Sequence, residues 1–390
     1  MADLASQRRP RRLSNLQRER LAPLPTMTAS TTGPTSGGPA PSGPPRKRLR
    51  NVLIALFAIG VPLAWMKDPQ LVWQPLLPIP LLFLTPRGTS RVLAFFVAAL
   101  VVIGGGVTTY RVGMAVPDWP ATFQQNMWTY DYGEMLQEGL GVTLEHVHRL
   151  WASALGLVAI CVVLSGFIYR ASKSVLVFSS LVLLSIIGQG LLGGTRVLEN
   201  SQNLAFLHGA IAQGVTAAIV ALAVFCSRTW ERSEPVASEH ARGAHFLGPK
   251  VVLAVYAQIA LGAWLRHQGQ TVALLVHLTL ALFVFVAVLV FAGQLGDAAK
   301  SAHSSETPQL RPLARLRGWL VGSLVTQVLL GVLATYGIYS LSGGMDYPVS
   351  LGEAIFATAH VFVGAVLLSS CVVGAMYARR TLRPIAPTGA

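Results

Sequence analysis

Four histidines lie in apolar stretches of helix length in this chain, one in each of four stretches. They are His148, His208, His277 and His360. An ionisable side chain inside a bilayer-spanning segment is unfavourable unless it faces the protein interior and has a partner there. The four histidines sort into two pairs, His148 with His208 and His277 with His360. Two pairs of imidazoles between helices are what two haem-sized ligands require.

The composition places the chain among polytopic membrane proteins. Its 390 residues are 53% hydrophobic and 12% charged, and the mean hydropathy is +0.55. Each long apolar stretch approaches the roughly 20 residues that cross a bilayer. The eight stretches are 92–109, 150–169, 175–194, 204–226, 250–265, 271–291, 319–336 and 354–377. We therefore predict an all-α polytopic membrane protein whose eight-helix core forms two pseudo-symmetric four-helix bundles.

Two shorter apolar stretches, 52–66 and 71–86, precede the eight. We predict that they form two extra N-terminal helices, and either both cross the membrane or neither does, because the charge pattern requires an even number of crossings. With residue 1 inside, most of the 30 Lys and Arg residues fall on the inner side, which is the bias expected of cytoplasmic loops. The five that fall outside are Lys67, Arg111, Arg149, Arg196 and Arg266.

The chain divides by composition into a basic disordered cytoplasmic tail, a membrane hairpin, two bundles joined by an inner linker, and a second cytoplasmic tail. These segments are 1–50, 51–89, 90–227, 228–249, 250–378 and 379–390. A mitochondrial transit peptide is the main alternative for the Arg-rich tail. The net charge of +14 is spread over short inner loops, which argues against nucleic-acid binding. All three cysteines lie in apolar stretches, so we expect neither a disulfide nor covalent haem attachment.

Short related sequences recur near the outer helix ends, at 188–196, 258–266 and 327–331. Each has a glutamine followed three or four residues later by a glycine, which favours an internal duplication. The histidine-bearing helices all run from outside to inside, so the four histidines are expected in the outer half of the membrane. The glycines are expected to permit close helix approach.

The sequence Glu145-His146-Val147-His148-Arg149 opens one of these helices. Glu145, His148 and Arg149 share a helix face, whereas His146 lies roughly 200° away from His148. His148 is therefore the expected ligand, and a polar cap at the membrane surface is the alternative interpretation. The other three histidines each have Ala or Gly one turn away, which would give a flat macrocycle clearance, although a packed, hydrogen-bonded histidine is the simpler alternative.

Three outer arginines end outward-running helices: Arg111, Arg196 and Arg266. Arginine binds carboxylates in a bidentate fashion, so these side chains are candidates for haem propionates, with snorkelling to the interface as the alternative.

Several motifs together resemble the haem A synthase family over about residues 90–377. They are Gly105-Gly106-Val107-Thr108, the loop 111–120 with Asp118-Trp119-Pro120, the E-x-x-H-R of 145–149, the glycine-rich run 190–197, and histidines in helices 4, 6 and 8. The resemblance implies oxidation of the C8 methyl of haem O to a formyl group, which gives haem A for cytochrome oxidase. It assigns a b-type cofactor haem to His277 and His360, and haem O as substrate to His148 and His208. It also assigns a proton-handling role to Glu145, and Asp118 is a loop candidate.

The resemblance further implies haem O synthase (protohaem farnesyltransferase) and cytochrome oxidase assembly factors as partners. The sequence does not identify the electron donor, and a homo-oligomer is one possible assembly state. The expected location is a bacterial inner membrane, with the mitochondrial inner membrane as the alternative. The chain departs from some members in lacking a cysteine pair in the first outer loop, and His146 is an additional histidine. A diheme b-type electron carrier and a non-catalytic haem chaperone remain alternative functions.

The charge pattern makes a direct prediction about topology. Residues 1–50, 228–249 and 296–318 should face the cytoplasm, and 110–145 should face outward. A cysteine introduced at Gln124 should therefore react with a membrane-impermeant maleimide added from outside, whereas one in 228–249 should react only from inside. The reverse labelling pattern would contradict the orientation and the outer placement of the histidines.

Overall fold

The structure, a computed structural model, describes residues 80–268, 271–301, 310–341 and 348–385. The stretch 52–66 and most of 71–86 lie outside these residues, so their membrane crossing stays a prediction. The last residues of the second stretch form a 3-10 turn, Pro80–Phe83, directly before the first long helix. The basic tail 1–50 also lies outside the described residues.

Eight helices in the described part of the chain are long and apolar enough to span a membrane. They are α1 Pro86–Thr109, α2 Leu140–Ile168, α3 Lys173–Leu198, α4 Gln202–Phe225, α5 Ala241–Gln268, α6 Thr271–Ser301, α7 Arg311–Tyr336 and α8 Leu351–Thr381. The prediction of an all-α polytopic membrane protein is confirmed. The helices extend past the apolar stretches because their end turns are polar and capped. Ser172, Ser201 and Ser350, for example, each accept a hydrogen bond from the first turn.

The eight helices pack as two rings of four. Each of α1–α4 contacts its chain neighbours, and α4 closes the first ring on α1; α5–α8 form the second ring in the same way. The rings meet where α8 contacts α1 and α4, and where α4 contacts α5. Exchanging α1 with α5 and α4 with α8 reproduces the same set of contacts, as a pseudo-twofold arrangement requires.

Phe291 on α6 is the largest fully buried side chain of the second ring. Two glycines allow neighbouring helices to close over it. A Cβ at Gly248 on α5 would lie 3.3 Å from the Phe291 ring, and one at Gly374 on α8 would lie 3.2 Å from it. The backbones of α5 and α8 therefore touch the aromatic ring directly, which is the close packing that small residues permit between membrane helices.

Two short strands, which the sequence analysis did not predict, lie just before the start of α5 and directly after the end of α8. β1, Val236–Ser238, pairs in parallel with β2, Leu382–Pro384. His245 of α5 is hydrogen-bonded through Nε2 to the carbonyl of Ala378 on α8, at 3.0 Å. The linker and the tail thus satisfy each other's backbone groups, because both leave the helices at the same end of the molecule.

The burial of Phe291 generates a stability prediction. Phe291→Ala should leave a cavity where α5, α6 and α8 meet and should cost about 3–5 kcal/mol of unfolding free energy. The matched control is Phe283→Ala on the same helix, because Phe283 is 67% exposed and its loss opens no cavity. Thermal unfolding in detergent should show a clear drop in Tm for the first variant only. Equal shifts in both variants would contradict the packing described.

Candidate functional site

Each of the four predicted ligand histidines lies against a glycine of the preceding helix. A Cβ atom on that glycine would lie closer to the imidazole Cε1 atom than ordinary van der Waals contact allows. The distances are 2.9 Å for Gly104 and His148, 2.9 Å for Gly193 and His208, 3.0 Å for Gly262 and His277, and 3.1 Å for Gly331 and His360. Any side chain at these positions would push the ring, so the bare backbone sets where each imidazole sits.

Three of the four imidazoles also contact a glutamine one turn before the glycine. Gln258 Nε2 lies 3.1 Å from Nδ1 of His277 and donates to its carbonyl at 2.9 Å. The ring of His360 donates from Nδ1 to the backbone carbonyl of Gln327 at 3.1 Å. The side-chain amide nitrogen of Gln327 lies 3.2 Å from Nε2 of the same ring.

Gln189 places its amide nitrogen 3.0 Å from Nδ1 of His208, in the amide orientation that satisfies both groups. The residue at the corresponding position of α1 is Leu100. Nδ1 of His148 is buried and has no hydrogen-bond partner among the residues that the structure describes.

The structure brings the histidines together in the two predicted pairs. His148 and His208 lie within electrostatic range of each other in the first ring, and His277 and His360 do so in the second. All four are half-buried. No group of three or more His, Cys, Asp or Glu side chains that could hold a metal ion occurs in the described segments. A metal held by either pair would therefore take its remaining ligands from a bound molecule, and a macrocycle would supply them.

Glu145 and Arg149 fasten the outer loop to α2. The Glu145 carboxylate pairs through Oε1 with Arg149 at 2.7 Å, and its Oε2 accepts from the Val116 N–H at 2.9 Å. Arg149 donates further to the carbonyls of Val116, Asp118 and Ala121 at 2.7, 2.6 and 3.1 Å. Glu145 is 1% exposed and Arg149 8%. These two residues thus hold the loop at Val116, Asp118 and Ala121, and both Glu145 oxygens are engaged.

Asp118 stabilises a turn within the same loop. Its carboxylate accepts hydrogen bonds from the backbone N–H groups of Phe123 and Gln124, at 2.9 and 2.7 Å. Both of these residues have positive φ, 48° and 64°, so the carboxylate compensates a left-handed backbone that non-glycine residues adopt only at a cost. Trp119, next in the chain, packs flat on Gly194 of α3, where any Cβ would overlap its ring.

His146, whose role the sequence left open, also faces the outer loop. Its Nδ1 lies 3.1 Å from the Thr122 hydroxyl, and its ring packs 5.4 Å from that of Tyr130. Burial, followed by the nearby carboxylate of Glu134, raises the pKa of the Tyr130 hydroxyl. Because His146 points away from His148, the structure gives these neighbouring histidines different surroundings.

The three arginines predicted to bind propionates lie at two separate positions, one near Gly113 and the other near Glu353. Arg196 donates from Nη2 to the carbonyl of Gly113 at 3.2 Å, at the outer end of the first ring. Arg111 and Arg266 both lie near Glu353 of α8, where Arg111 Nη2 is 3.8 Å from Glu353 Oε1. Arg266 Nη2 and Glu353 Oε2 are buried and lack hydrogen-bond partners within the described residues. A buried guanidinium with an unused donor is suited to a ligand carboxylate.

The sequence analysis noted the recurring glutamine and glycine only as a sign of duplication. It missed their contact with the histidines, and it missed Glu353. A signal for the first was present, because the glutamine precedes the glycine by four residues in α3, α5 and α7 alike. This spacing puts the glutamine side chain and the glycine on one helix face. Their joint function became visible only when the histidine of the next helix was found against them.

Comparison with known proteins finds a matching family. Residues 89–274 match the family model COX15-CtaA, cytochrome oxidase assembly protein. The matched region runs from α1 into the first residues of α6, so it includes His148 and His208, while His277 and His360 follow it. No curated protein and no solved structure matches the chain. Taken with the eight spanning helices, the match shows that residues 89–274 are similar to the cytochrome oxidase assembly protein family COX15-CtaA, which is the haem A synthase family.

Proposed function

We propose that the protein oxidises the C8 methyl of haem O to a formyl group and so supplies haem A for cytochrome oxidase. The observation that carries this proposal is the pair of similar histidine sites, each backed by glycines, at the outer ends of two helix rings. The family match supports a role in cytochrome oxidase assembly. In this proposal His277 and His360 hold a b-type haem, and His148 and His208 hold the haem O substrate.

The residues present fit such groups. Two imidazoles lie within electrostatic range of each other in each ring. Small residues such as Ala273 and Ala357 are buried on the same helices, and Arg266 has an unused buried donor for a propionate. A bound haem would supply redox chemistry at its iron. The methyl carbon loses four electrons and gains an oxygen atom in the overall reaction, so an oxidant is required, either dioxygen or an electron carrier of the membrane.

The outer loop would close the first site against water. Its anchoring by Arg149 and its small apolar cluster of Val116, Tyr130, Met135 and Val142 support this role. We further propose a bacterial inner membrane with the N-terminus in the cytoplasm, haem O synthase as the source of substrate, and cytochrome oxidase assembly factors as recipients of the product. The positive-inside distribution of charge supports the orientation.

The first prediction from this proposal concerns the cofactor haem. Purified protein should show the absorption spectrum of a six-coordinate low-spin b-type haem, because His277 and His360 would both ligate its iron. His277→Ala or His360→Ala should abolish that spectrum or convert it to a five-coordinate form. The control variants His240→Ala and His245→Ala alter histidines at the inner end of the molecule and should leave it unchanged. A normal spectrum in both ligand variants would contradict the assignment.

The second prediction concerns Glu145. In a host that lacks its own haem A synthase, Glu145→Gln should lower haem A formation about a hundredfold or more, while the b-type spectrum persists. Extracted haems separated by chromatography give the measurement, and the intermediate alcohol is expected to accumulate. Undiminished haem A in this variant would remove Glu145 from the reaction.

Arg149→Gln separates a proton-handling role of Glu145 from its structural role. This variant keeps the Glu145 carboxylate and removes the guanidinium that donates to three loop carbonyls. If only Glu145→Gln loses activity, the carboxylate itself takes part in proton movement. Equal losses would make Glu145 a positioning residue of the loop. Absence of haem A from the wild type, with haem O and reductant supplied, would instead favour an electron carrier or a haem chaperone.

A further inference from the structure

The four glycine-backed histidines are not equivalent, because one of them lacks its glutamine. In α3, α5 and α7 the residue four positions before the glycine is Gln189, Gln258 or Gln327, whereas in α1 it is Leu100. Leu100 is half-buried and packs with the apolar core of the first ring. The matching imidazole, His148, is the one whose Nδ1 atom is buried without a partner among the described residues.

The missing partner bears directly on how strongly His148 would hold an iron. A ligand histidine binds through one ring nitrogen, and the proton on the other nitrogen is normally donated to an acceptor, which orients the ring and raises its basicity. At His360 this acceptor is the backbone carbonyl of Gln327, while the side-chain amide of Gln327 contacts the other ring nitrogen. At His208 and His277 the side-chain amide nitrogen of the glutamine lies 3.0 and 3.1 Å from Nδ1. Rotation of that amide by half a turn would put its oxygen there as the acceptor for a ligand histidine. The Leu100 side chain offers His148 neither a donor nor an acceptor, and no backbone carbonyl of the described residues, that of Leu100 included, bonds to its Nδ1.

We propose that Leu100 makes His148 the weak, exchangeable ligand of the first pair, so that this site releases its haem readily while the second site retains it. The inference rests on the proposed function, in which the first pair takes a substrate that must enter and leave. It goes further by assigning the difference in haem retention between the two sites to one residue of α1, Leu100. Loss of a hydrogen-bond partner of this kind weakens metal binding about 10–100-fold.

Two reciprocal substitutions test the proposal. Full-length protein is loaded with two equivalents of protohaem, and transfer of haem to excess apomyoglobin is followed by absorbance. The wild type should release one equivalent quickly and one slowly. Leu100→Gln should slow the fast phase about 10–100-fold, because it restores the missing partner. Gln258→Leu should accelerate the slow phase, because it removes the partner of His277.

Leu100→Met is the control for size and hydrophobicity at the same position, and it should leave both phases unchanged. If the wild type retains only one equivalent, the same inference predicts that Leu100→Gln retains two. The proposal is overturned if Leu100→Gln alters neither the release rate nor the number of haems retained. Failure of every variant and of the wild type to retain any haem would instead overturn the proposed function.

Discussion

Contact between an imidazole and a bare helix backbone governs the arrangement of both helix rings. At each of the four positions the glycine lets two helices approach until the Cε1 edge of a histidine touches the neighbouring backbone. A methyl group there would force the ring or the helix to move, since side chains in a packed interior have little room to adjust. The separation of α1 from α2, of α3 from α4, and of their counterparts in the second ring therefore follows from the histidine that lies between them.

The outer loop depends on a second set of contacts, which radiate from one guanidinium. Arg149 reaches three loop carbonyls and the Glu145 carboxylate. Burying this charge would be unfavourable without such saturation. Because Glu145 and Arg149 lie on the same face of α2 as His148, the loop is fixed to the helix that carries the first histidine pair. Movement of the loop and movement of that histidine are therefore mechanically linked.

Much of this arrangement could be predicted from the sequence, for reasons tied to particular residues. The eight apolar stretches predict the spanning helices, because a bilayer leaves the backbone few alternatives. The pairing of His148 with His208 and of His277 with His360 follows from their shared depth, although ligation of haem iron stays a prediction.

Contacts between distant segments could not be predicted. Such contacts depend on which segments meet at a helix end. Examples are the turn stabilised by Asp118, the approach of Glu353 to Arg111, and the pairing of β1 with β2. Hydrophobic periodicity carries no information about such meetings.

The pairing of β1 with β2 has a consequence for biogenesis. β1 lies between the two rings in the chain, but its partner β2 follows α8. During synthesis, β1 must wait until the whole second ring has been inserted before it can pair. The linker therefore stays unpaired during that interval, and it pairs only when the membrane domain is complete. The same late pairing would tie the two rings together as the final event of assembly.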